Sequence, residues 1–464
     1  MAIEEDLSQW EIASTGKMIS YAFGYIIINF LLGVGFSLVF YFYEVEVGLS
    51  VVLLSIAFVI FAIWNMVNDP ILGFLTDRPF KWTKRWGLRA PWVVLSAFPI
   101  LIFYILIWTP PENASDMFIF YWFIIITCIF DTFFSIYNDH VYGGFTNQFP
   151  SEYERRRAFA IATILMGLIM TFMGILGNFI VVYKHRETFV VYAIIITIML
   201  IIFNIILFAG IGESEEMKTM FLTAYEKAEA KSFSVTMKTA LKQKNFTVSL
   251  AGYTCEITAM ALVGASTIYM YRYVYRLDYT YAALPGILGL IGFVFAVPFW
   301  YNYARKHGFK KTYWVCFVLH GLTFIPFLFI VDYVSINLFT FISAVFYSGE
   351  VTMLMPVASD TYDEVSSVME KRVDATLVGV RTFFFRIAFL VVGVVIPLVH
   401  ILTFFDPNLN VQSPLAVWGI RVHAALIPML ILIGMGLIFR KYYTLEGAEK
   451  EALVRKLKDL GIYR

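Results

Sequence analysis

"VVLLSIAFVIFAIWNMVNDPILGFLTDR", residues 51–78, is the stretch that decides the fold. Its first thirteen residues carry one hydroxyl and no charge, the composition of a helix interior surrounded by lipid. Within the next two turns come Asn65, Asn68 and Asp69, and Pro70 follows at once. A charged side chain near the bilayer centre costs roughly 2.5–3.5 kcal/mol on insertion scales, so it normally faces a bundle interior or a water-filled cavity. Asn65 and Asp69 are four residues apart and share a helix face, with Asn68 beside them. Pro70 lacks an N–H and frees the Met66 carbonyl one turn back. A carboxylate, two amide oxygens and a free carbonyl at one level suit a small cation or a proton. The structural alternative is a proline-kinked helix whose Asp69 pairs with a basic neighbour.

The rest of the chain agrees with a membrane setting. Of its 464 residues, 60% are hydrophobic and only 15% charged, too few for the surface of a soluble domain of this size. A net charge of +1 gives no field for a nucleic-acid partner. Cys128, Cys255 and Cys316 all lie in apolar segments without CxxC spacing, so they read as buried small hydrophobes. The acidic N-terminal stretch "MAIEEDLSQWEIASTGK" is not a cleavable signal peptide.

Twelve apolar runs read as spans, roughly 19–43, 50–76, 91–109, 117–144, 158–182, 188–211, 246–271, 281–303, 312–331, 334–358, 376–402 and 416–439. The fold class is therefore an all-α membrane protein with two six-helix halves. Residues 1–211 form the first, 212–245 a cytoplasmic linker, 246–440 the second and 441–464 a cytoplasmic tail. Basic residues gather in the loops 77–90 and "ARKHGFKK", while "YEVEVG", "TPPENASD" and "TFFDPNLNVQSP" contain no Lys or Arg. That bias places both termini in the cytoplasm of a multi-pass cell-membrane protein, with Lys184 and Arg186 in one dissenting loop. "RWGLRAPW" after span two and "YARKHGFKKTYW" after span eight give a weak internal symmetry of the kind transporter repeats show.

Ionisable residues inside the spans supply the remaining candidates. In span four Asp131, Ser135 and Asn138 share one face, with Asp139 and His140 beyond. Glu256 in span seven and Glu350 in span ten are carboxyls of the second half, with Arg381 and Arg386 in span eleven as positive partners. His320, His400 and His423 have no partner in register and read as satisfied structural histidines. Nothing resembles HExxH, GxSxG or a phosphate-cradling loop, so an enzyme is not expected. The glycines of "GVG" at 33–35 suit close helix packing, and Asn113-Ala114-Ser115 is a chance-level sequon.

Placed together, these motifs resemble the glycoside–pentoside–hexuronide:cation symporters of the major facilitator superfamily. The resemblance covers almost the whole chain and rests on "SYAFG" (20–24), "WNMVNDPILGFLTDR" (64–78), "RWGLRAPW" (85–92), "FPSEYERR" (149–156), "ASDTYDEV" (358–365) and Arg386. It implies two six-helix bundles working by alternating access. Cation coupling falls by resemblance on Asp69, Asn65, Asn68 and Ser135; a substrate path falls on Asn29, Asp131, Asn138, Thr163, Glu256 and Arg386. Gly73, Asp77, Arg78, Arg85 and Arg89 resemble a cytoplasmic gating loop. Departures are equally specific: Asn29, Asn65, Asn138 and Thr163 stand where the family pattern has Asp, Asp, Asp and Arg. The sugar-binding dyad is thereby lost, one coupling carboxylate of span two survives, and Asp131 is placed to replace a lost charge.

The expected function is secondary active symport of a small solute, by resemblance a sugar or glycoside, coupled to H⁺ or Na⁺. A lysophospholipid or other amphipathic solute carried on the same scaffold is a second expectation. A non-transporting receptor or assembly protein is a third. No cofactor beyond the coupling ion and no metal are expected; the partners are the solute and membrane lipid, and the chain is expected to act as a monomer.

Overall fold

The computed structural model describes residues 13–76, 78–149, 152–215, 217–219, 222, 233–370 and 373–460. Among these, every regular element is helical. Twelve helices are long and apolar enough to cross a membrane: α1 Thr15–Glu46, α2 Val51–Gly73, α3 Ala90–Trp108, α4 Asp116–Phe145, α5 Arg157–Ile180, α6 Arg186–Gly210, α7 Lys244–Tyr275, α8 Tyr279–His307, α9 Phe309–Leu328, α10 Tyr333–Met369, α11 Thr376–Leu402 and α12 Pro414–Tyr442. All twelve expected runs are present.

Four of these helices begin where a short polar side chain can accept from the first turn, which otherwise leaves backbone N–H groups without partners. Ser14 accepts from the Lys17 N–H at 3.2 Å and Ser115 from Phe118 at 3.3 Å. Asp332 accepts from Ser335 at 2.8 Å and Ser413 from Ala416 at 3.2 Å. The Ser335 bond holds the Asp332 carboxyl below the usual carboxylate range.

Three helices depart from the expected outline. "GVG" interrupts α1 at Gly33, and its glycines meet their own helix and not a neighbouring one: a Cβ on Gly35 would lie 3.0 Å from the Phe30 carbonyl oxygen. α10 continues past the expected end at 358 to Met369. Its polar extension is fixed by Asp360, which accepts from Lys450 Nζ at 2.7 Å, and by Glu364, which accepts from Asn245 Nδ2 at 2.9 Å. α11 is broken at Arg386, between Asp374–Phe385 and Ile387–Leu402.

The chain divides into two compact units, Met1–Phe42 with Ile63–Glu229 and Tyr43–Ala62 with Ala230–Arg464. The units change over inside α1, between 42 and 43, inside α2, between 62 and 63, and between 229 and 230. Residues 43–62 belong to the second unit because Arg272 of α7 binds Glu46, His400 of α11 binds Glu44, and Ser55 donates to the Gly393 carbonyl at 2.7 Å.

In the first unit α1 packs on α5 and α6, and α3 packs on α4 and α6. In the second, α7 packs on α11 and α12, and α9 packs on α10 and α12. The second scheme is the first shifted by six helices, so the faint sequence symmetry is a repeat of packing. Phe42, Trp108 and Phe189 cluster with centroids 5.2 and 5.3 Å apart in the first unit. Tyr313, Phe317, Leu432, Met435 and Phe439 fill the second. Between helices in lipid such contacts stabilise by close packing and dispersion, because lipid tails are as apolar as the side chains.

Candidate functional site

α2 and α4 run in the same direction, and their contacts advance in step. Trp64 Nε1 donates to the Cys128 carbonyl at 3.1 Å. One turn on, Asn65 Nδ2 donates to Asp131 Oδ1, and Asn68 Nδ2 donates to Asp131 Oδ2 at 3.3 Å. Next, Ser135 donates its hydroxyl hydrogen to Asp69 Oδ1. Last, a Cβ on Gly73 would stand 3.4 Å from Asp139 Oδ2. Residues three and four apart on each helix therefore meet a matching series on the other.

Asp131 is 1% exposed, Ser135 0% and Asn65 3%, so the group lies within the helix bundle and away from lipid. Only the NH₂ of each carboxamide can donate to a carboxylate, which fixes the orientation of Asn65 and Asn68. Asn65 Oδ1 then remains a buried oxygen with no hydrogen-bond partner. Such an atom asks for a donor or a cation. The group offers two carboxyls, two carboxamide oxygens and a hydroxyl, all hard oxygen ligands of the type Na⁺ takes. Among the described residues no three His, Cys, Asp or Glu side chains are grouped to hold a metal ion.

The structure thus brings Asn65, Asn68, Asp69 and Ser135 together as the sequence implied, and adds Asp131 to them. Asp131 was expected in the substrate path; its carboxylate is engaged by the amides of α2. Asn138, one turn further along α4, is nearly buried and donates to Asp139 Oδ1 at 3.4 Å.

The other substrate-path candidates are more dispersed. Asn29 donates to the Tyr25 carbonyl at 2.8 Å and to the Tyr142 hydroxyl at 3.3 Å. The Tyr25 ring meets Tyr142 and Phe145 edge-on at 4.7 and 5.5 Å, forming an aromatic corner between α1 and α4. The Thr163 hydroxyl is taken by the Phe159 carbonyl of its own helix at 2.8 Å. Glu256 and Arg386 are buried in the second unit. Glu256 accepts from the Tyr313 hydroxyl at 3.4 Å, and Glu350 meets His320 Nδ1 at 3.1 Å. Arg381 lies over the Tyr253 ring at 4.9 Å and donates to Met355 Sδ at 3.5 Å. The expected carboxyl–arginine pairing is therefore corrected for Glu350, whose hydrogen-bond partner is a histidine on the neighbouring helix. His320 correspondingly has a partner that register along one helix does not reveal.

One gating candidate, Arg89, lies against a residue that the sequence did not single out. Glu213, just beyond α6, accepts from the backbone N–H groups of Leu88, Arg89 and Ala90 at 2.8, 2.5 and 3.1 Å. A carboxylate at the positive end of α3 is stabilised by the helix dipole. Gly87 is required there: its φ is +90°, and a Cβ would stand 2.7 Å from the Glu213 carboxyl. Arg89 Nη1 reaches His140 Nδ1 at 3.5 Å, and a Cβ on Gly143 would come within 2.8 Å of Arg89 Nη1. Arg85 lies over Trp86 at 5.2 Å, Arg78 is exposed, and Asp77 lies outside the described residues.

A second polar group was also missed. Glu44, at the end of α1, accepts from the Tyr269 hydroxyl of α7 and lies 2.7 Å from His400 Nδ1 of α11. His400 Nε2 faces His423 Nε2 of α12 at 3.2 Å, and His423 Nδ1 lies 2.7 Å from Ser266 Oγ. These partners are up to 356 residues apart, so no spacing rule finds them.

With the geometry described, the family follows. The chain matches the MFS/sugar transport protein family over residues 18–446 and belongs to it. It is 34% identical over 100 residues to "Sodium-dependent lysophosphatidylcholine symporter 1-A" of Danio rerio, covering 21% of this chain and 18% of that protein. It is 28% identical over 147 residues to "Uncharacterized symporter sll1374" of Synechocystis, covering 29% and 26%. To "Uncharacterized symporter YnaJ" of Bacillus subtilis it is 21% identical over 458 residues, covering 96% and 94%. The chain thus matches about a fifth to a quarter of the length of the first two relatives and nearly all of the third.

Among solved structures, the nucleoside transporter NupG is 13% identical with a TM-score of 0.56, covering 92% of this chain and 98% of NupG. The inward-open xylose transporter XylE of E. coli is 11% identical with a TM-score of 0.58, covering 94% and 98%. These likenesses show the fold: a multi-pass membrane protein with the twelve-helix major facilitator architecture.

Proposed function

We propose that this protein is a cation-coupled symporter of the cell membrane, with both termini cytoplasmic, that binds its coupling ion between α2 and α4. The single observation that carries the proposal is the reciprocal bonding of Asp69 with Ser135 and of Asp131 with Asn65 and Asn68. Asp69 and Asp131 supply the charge, Asn65, Asn68 and Ser135 supply neutral oxygens, and the orphaned Asn65 Oδ1 points to Na⁺ in preference to H⁺. Asn29, Asn138, Thr163, Glu256 and Arg386 are the proposed substrate path, and Gly73, Asp77, Arg78, Arg85 and Arg89 the proposed gate. Alternating access would couple the two. The reading is of a transporter and not of an enzyme.

The substrate proposed first is a sugar or glycoside, in keeping with the family's description. A lysophospholipid is the second reading, favoured by relatives whose names specify lysophosphatidylcholine. The deciding experiment is uptake into proteoliposomes of a panel of sugars, glycosides and lysophosphatidylcholine under an imposed Na⁺ or H⁺ gradient. Gradient-driven accumulation of one panel member, lost in Asp69→Asn with folding intact, supports the proposal. Accumulation that still follows the gradient in Asp69→Asn overturns it.

A further inference from the structure

The ends of α1, α7 and α11 and the beginning of α12 meet in the second unit. Three of these four helices are wound there as π-helix: Phe42–Glu46, Met270–Tyr275 and Val422–Leu426. π-Helical turns are rare and frequently mark functional sites. Each of the three carries a polar member of one cluster, namely Glu44, Arg272 and His423. Tyr269 directly precedes the second segment.

Hydrogen bonds count the protons in this cluster. Ser266 Oγ lies 2.5 Å from the Leu262 carbonyl oxygen of its own helix, so its one hydrogen is donated there. It must then accept from His423, which places a hydrogen on Nδ1. The two facing nitrogens, His400 Nε2 and His423 Nε2, share one hydrogen, since two lone pairs or two hydrogens would repel. A further hydrogen must lie between His400 Nδ1 and Glu44 Oε1, and the Tyr269 hydroxyl donates to Glu44 Oε2. With Ser266 bonded to Leu262, this pattern accommodates one proton more than an ionised glutamate and two neutral imidazoles, whichever atom carries it.

Charge counting gives the same answer. Glu46 is paired with Arg272 at 3.2 Å, with the two side chains 3% and 6% exposed. Tyr273 stands beside Arg272, Glu44, Glu46 and Asp406, and Arg421 faces Tyr275 and the carbonyls of Phe327 and Ile330. The His400 and Glu44 side chains are 1% and 2% exposed. Without the extra proton this pair would bury a net negative charge, which is costly in a low-dielectric interior.

We infer that Glu44, His400 and His423 form a proton-binding site, separate from the α2–α4 group, that takes up one proton as these helix ends assemble. Bulk water supplies the proton and receives it again when the end of α1 withdraws. On release, Ser266 turns its hydrogen from Leu262 to His423, and the chain reverses to point at the ionised Glu44. The site's part in transport rests on the transporter reading; the proton count does not.

The test is side-chain NMR of the full chain in lipid nanodiscs, with ¹⁵N-histidine and ¹³C-glutamate labels. There are 6 histidines, and His400→Gln and His423→Gln assign the two signals. At about pH 7.5, above the ordinary imidazole midpoint near 6.5, the wild type is expected to show the extra proton on the rings or on the Glu44 carboxyl. Glu44→Gln is expected to lose it and leave both rings neutral, while Glu44→Asp retains it. Unmoved His140 and His320 signals show that each variant is folded, and the wild-type count decides alone if one is not. An ionised Glu44 with two neutral rings in the wild type, or identical ring spectra in wild type and Glu44→Gln, overturns the inference. Because no substrate is used, this outcome is distinct from any failure of the uptake experiment.

Discussion

Ser135 on α4 serves the Asp69 carboxylate on α2, while Asp131 on α4 is served by Asn65 and Asn68 on α2. Each helix thus carries a carboxylate whose donors sit on the other. The arrangement holds the two helices in register, and it sets a buried acid, Asp131, beside a half-buried one, Asp69.

Removing one donor weakens the group without dissolving it. Ser135→Ala is expected to lower apparent cation affinity roughly tenfold or more, since a hydrogen bond to a charged group contributes about 1.5–3 kcal/mol. Cation titration of the purified protein by thermal shift measures this. An unchanged midpoint would remove Ser135 from the site.

Asp131 separates a binding role from a scaffolding role. Asp131→Asn keeps the shape but removes a buried charge and the repulsion it exerts on Asp69. In cation-free buffer this variant should melt at or above the wild-type temperature, and it should no longer respond to Na⁺. A scaffold residue would behave oppositely, losing stability in every buffer because buried donors lose their acceptor.

Two glycines offer a matched pair of stability tests. Gly87→Ala forces a side chain into positive φ and against Glu213, and should destabilise by about 1 kcal/mol or more. Gly167, inside α5, has nothing within 4 Å of an added Cβ, so Gly167→Ala should be neutral or stabilise by up to about 1 kcal/mol. Melting temperatures in one detergent compare them directly.

Glu213→Gln should loosen the start of α3, because three backbone N–H groups lose a charged acceptor. A cost of about 0.5–2 kcal/mol is expected, as for helix caps. Hydrogen exchange over residues 87–91 is the direct readout, and unchanged protection there would contradict it.

The twelve spans were legible because apolar length alone identifies a lipid-crossing helix. Helical spacing also placed Asn65, Asn68 and Asp69 on one face, and Asp131, Ser135 and Asn138 on another. What spacing could not give was that the two faces meet, and so Asp131 was separated from its partners. Glu213 was hidden because its acceptor role depends on three N–H groups more than 120 residues away. His400 and His423 read as structural because π-helical turns shift side chains off the regular register and their partner Glu44 lies at the far end of the chain.

Melting temperature of the purified protein in Na⁺ against choline, at equal ionic strength and fixed pH, tests the α2–α4 site most directly. Saturating Na⁺ is predicted to stabilise the wild type, by about 2.7 kcal/mol at a hundredfold excess over Kd. Asp69→Asn is predicted to show no difference between the two salts. Equal melting of the wild type in both salts across the pH range would contradict the account, as would a Na⁺ response retained in full by Asp69→Asn.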